Sequence, residues 1–464
     1  MHQILALTGV VILVSAVASG LLERRGVSLV LIFLAIGLLA GPHGLNIAHF
    51  DIGSPMLQLV ATVSLTMVLF ADAVSVQPAE MRTHGRLAAL ILGPGTIAAA
   101  GIIALAAWQL LGVSAAGSAM IGAALASTDP VLLRAVLRNP KVPAAVRQAL
   151  RMESGLNDAV LLPVILIAMT VAAGEGAGVG EYAGTLARLL LLGPAAGALI
   201  GLVCVTALDF VRPRFGMRRD YESLYTLGVA LTAFAAAEAL HSSGYLAAFT
   251  AGLAIAFRDV ELCDCFHDYG EATAEVALLI TFVALGGAAI WTGLSLLDAR
   301  HVVFIVIALA ARPLVLLLVL RFTDLNRHDL ALLAWFGPRG LSTLLLILLP
   351  VFAGLPEANQ LFAICSLVVL ASVLLHGASP ALLTRGQPTM ISDTDPAVRM
   401  TLEELRALQE RAEPVFILDV RTEKNFNADT AMAKGAVRVH PDYAVDEVRR
   451  LGLPADAWIA LYCT

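Results

Sequence analysis

The sequence predicts an all-α polytopic membrane protein of about thirteen transmembrane helices, with a small α/β segment at its C-terminal end. Three observations predict it. Only 14% of the 464 residues are charged and 59% are hydrophobic, where an ordinary soluble domain carries about a quarter charged residues. The charges are bunched, so runs such as 4–22 and 302–320 are almost free of them; crossing a hydrocarbon core as a helix takes roughly 20 residues. Finally, the loops between the runs alternate between basic and non-basic.

The runs lie near 3–22, 27–41, 55–75, 86–112, 117–137, 147–173, 182–211, 221–240, 244–257, 272–294, 301–321, 329–350 and 358–383. The first lacks a basic leader, and Leu21-Leu22-Glu23 is a poor small-residue cleavage site, so it reads as a retained span. The second and ninth are short and tilt little or extend into their flanks. Basic residues cluster at Arg24/Arg25, Arg82/Arg86, Arg134 to Arg151, Arg212 to Arg219, Arg258 and Arg321/Arg327. The alternate loops carry none except Arg300. The positive-inside rule then puts the N-terminus outside and the C-terminus in the cytoplasm, in a multi-pass protein of the plasma (inner) membrane. The formal net charge of −6 is weighted to the C-terminal tail, and no nucleic-acid partner is expected. Five scattered cysteines form no disulfide framework.

Ionisable groups inside a membrane span are costly and point to function. The fifth span carries Ser127-Thr128-Asp129-Pro130. Pro130 removes a backbone donor and frees a carbonyl about one turn earlier. Broken backbone at membrane depth is tolerated within protein or beside a water-filled cavity, where its freed groups can hold an ion. The sixth span contains Glu153-Ser154-Gly155-Leu156-Asn157-Asp158. At about 100° per residue, Glu153 and Asn157 stack beside Ser154 and Asp158 in one polar arc of roughly 140°. Several hard oxygens can therefore converge with those of the fifth span, which suits an unhydrated alkali cation and equally a proton. Arg312 in the eleventh span and Arg339, within Gly337-Pro338-Arg339-Gly340 of the twelfth, can answer these carboxylates. If spans one to six and eight to thirteen are inverted repeats, the interrupted fifth and twelfth spans correspond, which is the sequence pointer to a transporter's binding site. Glu238 and His241, near the end of the eighth span, are assigned interfacial or structural roles.

Ser127-Thr128-Asp129-Pro130 followed by Glu153-Ser154-Gly155-Leu156-Asn157-Asp158 resembles the monovalent cation:proton antiporter family, in its electroneutral sodium/proton exchanger branch. The resemblance covers about residues 1–385. It implies two crossed, interrupted helices, a homodimer in the lipid bilayer, and elevator-like alternating access. It further implies that Asp158 is the ion- and proton-binding carboxylate and that Asp129, Thr128 (through its backbone) and Ser154 are further ligands, with Na⁺ held at Asp129, Ser154 and Asp158. Glu153 is the implied partner of Arg312, Arg339 remaining the other choice. Asn157 in front of Asp158 matches the electroneutral branch. The expected function is exchange of Na⁺, or of Li⁺ or K⁺, for H⁺ in pH and sodium homeostasis, with no cofactor beyond the transported ions. A K⁺/H⁺ antiporter is the alternative.

Residues 386–400 read as a linker and 401–464 as a cytoplasmic α/β segment. Asp419-Val420-Arg421 and Cys463 resemble the start of a rhodanese-like domain, with Cys463 as sulfur carrier. The Gly-His that the family places after the first helix is replaced by Ala431-Met432-Ala433-Lys434-Gly435, and the sequence runs one residue past Cys463. A membrane-tethered sulfurtransferase is thus the weaker alternative: the chain is expected to be a transporter and not an enzyme. Cys263-Asp264-Cys265 with His267 and Asp268 is spaced too tightly for a zinc site and reads as a solvated loop.

Overall fold

A computed structural model divides the chain into two compact units, Met1–Gly386 and Gln387–Thr464. In the first unit the described residues are Gly9, Leu13 and 29–384, apart from 43, 47–51, 77–84, 138–141, 175–177, 216–218, 259–278, 288 and 324. In the second they are 402–462, apart from 412, 422–425, 427–430, 440–443, 453 and 455–456. The expected first span, apart from Gly9 and Leu13, the Cys263 loop and Cys463 therefore lie outside the described residues.

The first unit is helical. Its helices are α1 (Leu29–Ala40), α2 (Pro55–Val74), α3 (Thr96–Leu111), α4 (Ala115–Ala126), α5 (Pro130–Leu137), α6 (Ala144–Ala173), α7 (Val179–Ala187), α8 (Gly193–Phe215), α9 (Arg219–Ala239), α10 (Gly244–Arg258), α11 (Leu279–Gly287), α12 (Ala299–Val319), α13 (Arg327–Trp335), α14 (Leu341–Phe352) and α15 (Ala358–Thr384). Local sequence sets several of their ends. Ser54 caps α2 by accepting from the Leu57 N–H at 3.3 Å, with Pro55 in the first turn. Gly112 ends α3 in the left-handed region at φ 67°. Glu238 accepts from the Gly244 N–H at 2.9 Å and so serves the start of α10.

Among the described residues seven helices are long and apolar enough to cross a membrane. The number is eight if α11 and the 3₁₀ turn Ala289–Leu296, which meet at 45°, form one span. Leu224–Ala239, α10 and α14 are apolar but shorter. Lipid-facing exposure is visible along single helices: Leu199 and Val203 of α8, and Val306, Leu314 and Leu318 of α12, are exposed although apolar. The opposite faces pack into a core containing Phe33, Leu65, Phe282, Phe304 and Phe362. Gly197 and Gly201, one turn apart on α8, meet the backbone of Ala247 and Ala251 on α10 so closely that a Cβ at either would collide. This is the small-residue spacing by which apolar helices approach in a membrane.

The second unit has α16 (Leu402–Glu410), β1 (Val415–Asp419), β2 (Ala436–Arg438), α17 (Ala444–Leu451) and β3 (Trp458–Tyr462). Its sheet is parallel with order β2-β1-β3; Ile417 pairs with Ala436 on one side and Ala460 on the other. Ile417, Leu418 and Asp419 of the central strand are buried, as a parallel strand flanked on both edges requires. Asp419 is held by Arg421 through contacts of 2.9 Å (Nε to Oδ1) and 2.6 Å (Nη2 to Oδ2).

Candidate ion-exchange site

The site begins with two prolines. Neither Pro130 nor Pro338 has an N–H, so each leaves the carbonyl four residues earlier without its helical donor. Those carbonyls belong to Ala126, at the end of α4, and Ala334, near the end of α13. An arginine serves each. Arg339 Nη1 donates to the Ala126 and Ser127 carbonyls at 2.9 and 3.0 Å. Arg312 Nη1 donates to the Ala334 and Leu333 carbonyls at 2.8 and 3.0 Å. Cations at the two helix C-termini also oppose the negative ends of the helix dipoles.

The two breaks cross. The Asp129 N–H donates to the Pro338 carbonyl at 2.9 Å. The Asp129 carboxylate then caps both helices that leave the crossing, accepting from the Val131 N–H of α5 at 2.8 Å and from the Leu341 N–H of α14 at 2.6 Å. A single side chain thereby ties the fifth span to the twelfth.

On α6 the polar arc is used residue by residue. Glu153 meets Arg312 in a two-point pair, Nε to Oε1 at 2.6 Å and Nη2 to Oε2 at 2.5 Å, both side chains buried. Asn157 Nδ2 donates to Thr128 Oγ1 at 2.7 Å. Asp158 Oδ1 accepts from the Ser127 hydroxyl at 2.5 Å, and the Ser342 hydroxyl is within bonding reach of the same carboxylate. Asp158 Oδ2 and Asn157 Oδ1 are buried without a hydrogen-bond partner among the described residues.

One expectation changes. Arg339 answers no carboxylate among the described residues; its guanidinium serves carbonyls that the broken helix exposes. Ser154 is buried beside the site, and its hydroxyl donates to the Arg151 carbonyl of its own helix at 3.3 Å, which leaves its oxygen as an acceptor. Sequence reasoning also gave no role to three residues. The Ser127 hydroxyl bonds to Asp158 and Ser342 lies beside the same carboxylate; their proximity to the prolines was the available signal. Asp72, near the end of α2, lies opposite Gly155: a Cβ at 155 would stand 4.0 Å from Asp72 Cβ. An ionisable residue inside an apolar span was sufficient reason to single it out.

A buried carboxylate with an oxygen to spare, set between two crossed and interrupted helices, defines the class of secondary transporters that build an ion site from broken backbone. The chain belongs to the sodium/hydrogen exchanger family, whose transmembrane model matches residues 10–385. Among curated relatives it is similar to the K(+)/H(+) antiporter NhaP of Alkalimonas amylolytica, 26% identical over 381 residues covering 80% of this chain and 64% of that protein. It is also similar to the Na(+)/H(+) antiporter 2 of Zygosaccharomyces rouxii, 25% identical over 402 residues covering 76% of this chain and 48% of the relative. The chain therefore spans less than two thirds of the length of these relatives. The fold is like that of the sodium proton antiporter MjNhaP1 from Methanocaldococcus jannaschii at pH 8, with TM-score 0.69 and 18% identity over 83% of this chain and 99% of that one.

Proposed function

We propose that the chain exchanges a monovalent cation for protons, with Asp158 as the group for which the two compete. The observation that carries this is the Asp158 carboxylate itself: buried, oriented by Ser127, and with Oδ2 unpartnered among the described residues. A bare carboxylate is costly to move through a membrane. Neutralised by a proton or by a cation it crosses readily, so each form carries one of the two ions and exchange is obligatory. Asn157, Thr128 and Ser154 supply neutral oxygens nearby. Glu153 stays committed to Arg312 and Asp129 to two helix N-termini, so both shape the site and Asp158 does the exchanging. One cation then moves against one proton without net charge.

Na⁺ is the first choice of cation. K⁺ is the second reading, favoured by the name of the Alkalimonas relative; the number and spacing of ligands decide between them. The working form is a homodimer in the plasma membrane, N-terminus outside and C-terminus cytoplasmic, with residues 1–385 as the exchanger, 386–400 as linker and 401–464 as a cytoplasmic tail.

The test is dequenching of a pH-sensitive dye in proteoliposomes on adding Na⁺, K⁺ or Li⁺ separately. One or more should move protons in the wild type and none in Asp158→Asn, whose amide can neither release a proton nor balance a cation. Normal flux in a folded Asp158→Asn protein would overturn the proposal.

A further inference from the structure

His376 lies on α15, buried, and takes no part in the exchange just described. Its Nδ1 stands 3.1 Å from Ser372 Oγ and 3.2 Å from the Ser372 carbonyl, one turn earlier on the same helix. A carbonyl only accepts, so a proton on Nδ1 serves both contacts. Ser372 Oγ also accepts the backbone N–H of Arg339 at 2.7 Å. The imidazole packs against Trp335 at 5.5 Å between ring centroids, and Trp335 is the last residue of α13 before the break. His376 thus touches the twelfth span where its first half ends and, through Ser372, inside the break.

The contacts continue to the site. Arg339, held at its backbone by Ser372, donates from Nη1 to the Ser127 carbonyl. The Ser127 hydroxyl donates to Asp158 Oδ1. His376, Ser372, Arg339, Ser127 and Asp158 form one line of hydrogen-bonded residues drawn from four spans and ending on the carboxylate.

We propose that His376 is a positioning residue for cation binding: by fixing Ser372 it fixes Arg339, and through Ser127 it fixes the direction in which Asp158 points. The role needs an N–H at the Nδ1 position and not a charge. It rests on the reading of Asp158 as the exchanging group. The crossing itself has independent support, since Asp129 caps both helices and Arg312 holds α13. Loss of His376 therefore disturbs the aim of Asp158 and leaves the moving body assembled.

The experiment measures the cation dependence of proton flux in proteoliposomes at one fixed pH, using Na⁺, and K⁺ if K⁺ drives the wild type better. His376→Leu is expected to raise the apparent KM about three- to tenfold, the worth of one neutral hydrogen bond, with the maximal rate within about twofold of wild type. His376→Asn, whose side-chain amide occupies the place of Nδ1, should restore the KM. Ser372→Ala, a smaller change that keeps the protein foldable should His376→Leu not be, should raise the KM in the same way. A merely structural histidine would lower the amount of folded protein or the maximal rate and leave the KM unmoved. An unchanged KM in Ser372→Ala, or a raised KM that His376→Asn fails to restore, overturns the proposal. If Asp158→Asn keeps exchanging, the reading of the site falls instead, so the two failures are distinct.

Discussion

The carboxylate of Asp129 occupies the space that a side chain on Gly340 would need. A Cβ at 340 would collide with Asp129 Oδ2, the same oxygen that accepts from the Leu341 N–H. Gly340 sits at φ −150° and ψ −134°, outside the left-handed region, so the case for glycine there rests on room and not on a left-handed turn.

Gly340→Ala is accordingly expected to destabilise the protein by about 1–3 kcal/mol, the cost of overfilling a packed site, and to suppress transport by displacing a carboxylate that caps two helices. Gly101→Ala, where an added Cβ meets nothing within 4 Å, is the control and should stay within about 0.5 kcal/mol of wild type. Thermal unfolding in detergent and dye dequenching in liposomes read the two effects. Equal behaviour of the two variants would contradict the crossing geometry.

Glu153 and Arg312 should behave as one unit. Removing either leaves the other charge buried and alone, at a cost of about 3–5 kcal/mol, and loss of Arg312 also frees the Leu333 and Ala334 carbonyls. Glu153→Gln and Arg312→Gln, singly and together, complete a thermal-unfolding cycle. The double variant should lose clearly less than the sum of the single losses; full additivity would break the pair.

Asn157 tests charge balance. On the proposed reading, with Asn157 neutral, Glu153 paired and Asp129 committed to two helix N-termini, Asp158 is the carboxylate of the crossing left to exchange. No steady current is therefore expected on a solid-supported membrane under a Na⁺ or K⁺ gradient, and an imposed potential should not alter Na⁺-driven flux. Asn157→Ala, which strands Thr128 Oγ1, should slow exchange about tenfold, the cost of one unmade buried hydrogen bond, and remain current-free. A sustained wild-type current would mean that a second acid titrates.

In the C-terminal unit, hydrogen bonds from Arg421 pull Asp419 down from 3.8 to about 2. A carboxylate with a lowered folded pKa stabilises the unit above its unfolded value. That contribution fades as pH falls from about 4 to about 2. At neutral pH, Asp419→Asn should speed amide exchange across residues 415–419 by about tenfold, because hydrogen bonds to a charged group are lost. Hydrogen exchange of the full chain, read by mass spectrometry, measures it. Unchanged protection would show that the strand stands without the pair.

By itself the sequence determined what is local. Apolar runs bounded by charge announced the helices, Pro130 and Pro338 announced the two breaks, and the spacing of Glu153, Ser154, Asn157 and Asp158 put four polar groups on one arc of a helix. Each of these follows from chain stereochemistry over a few residues. The family resemblance pointed to Arg312 as the partner of Glu153, 159 positions away; the tertiary structure alone decided the other meetings: Arg339 with the carbonyl that Pro130 orphans, Asp129 with two helix N-termini, Ser127 with Asp158. The types of residue were legible in the sequence, and most of their partners were not. A hydrogen bond acts over about 3 Å, whereas the elements that bring its atoms together are placed by the crossing of whole helices, and no spacing along the chain encodes that crossing.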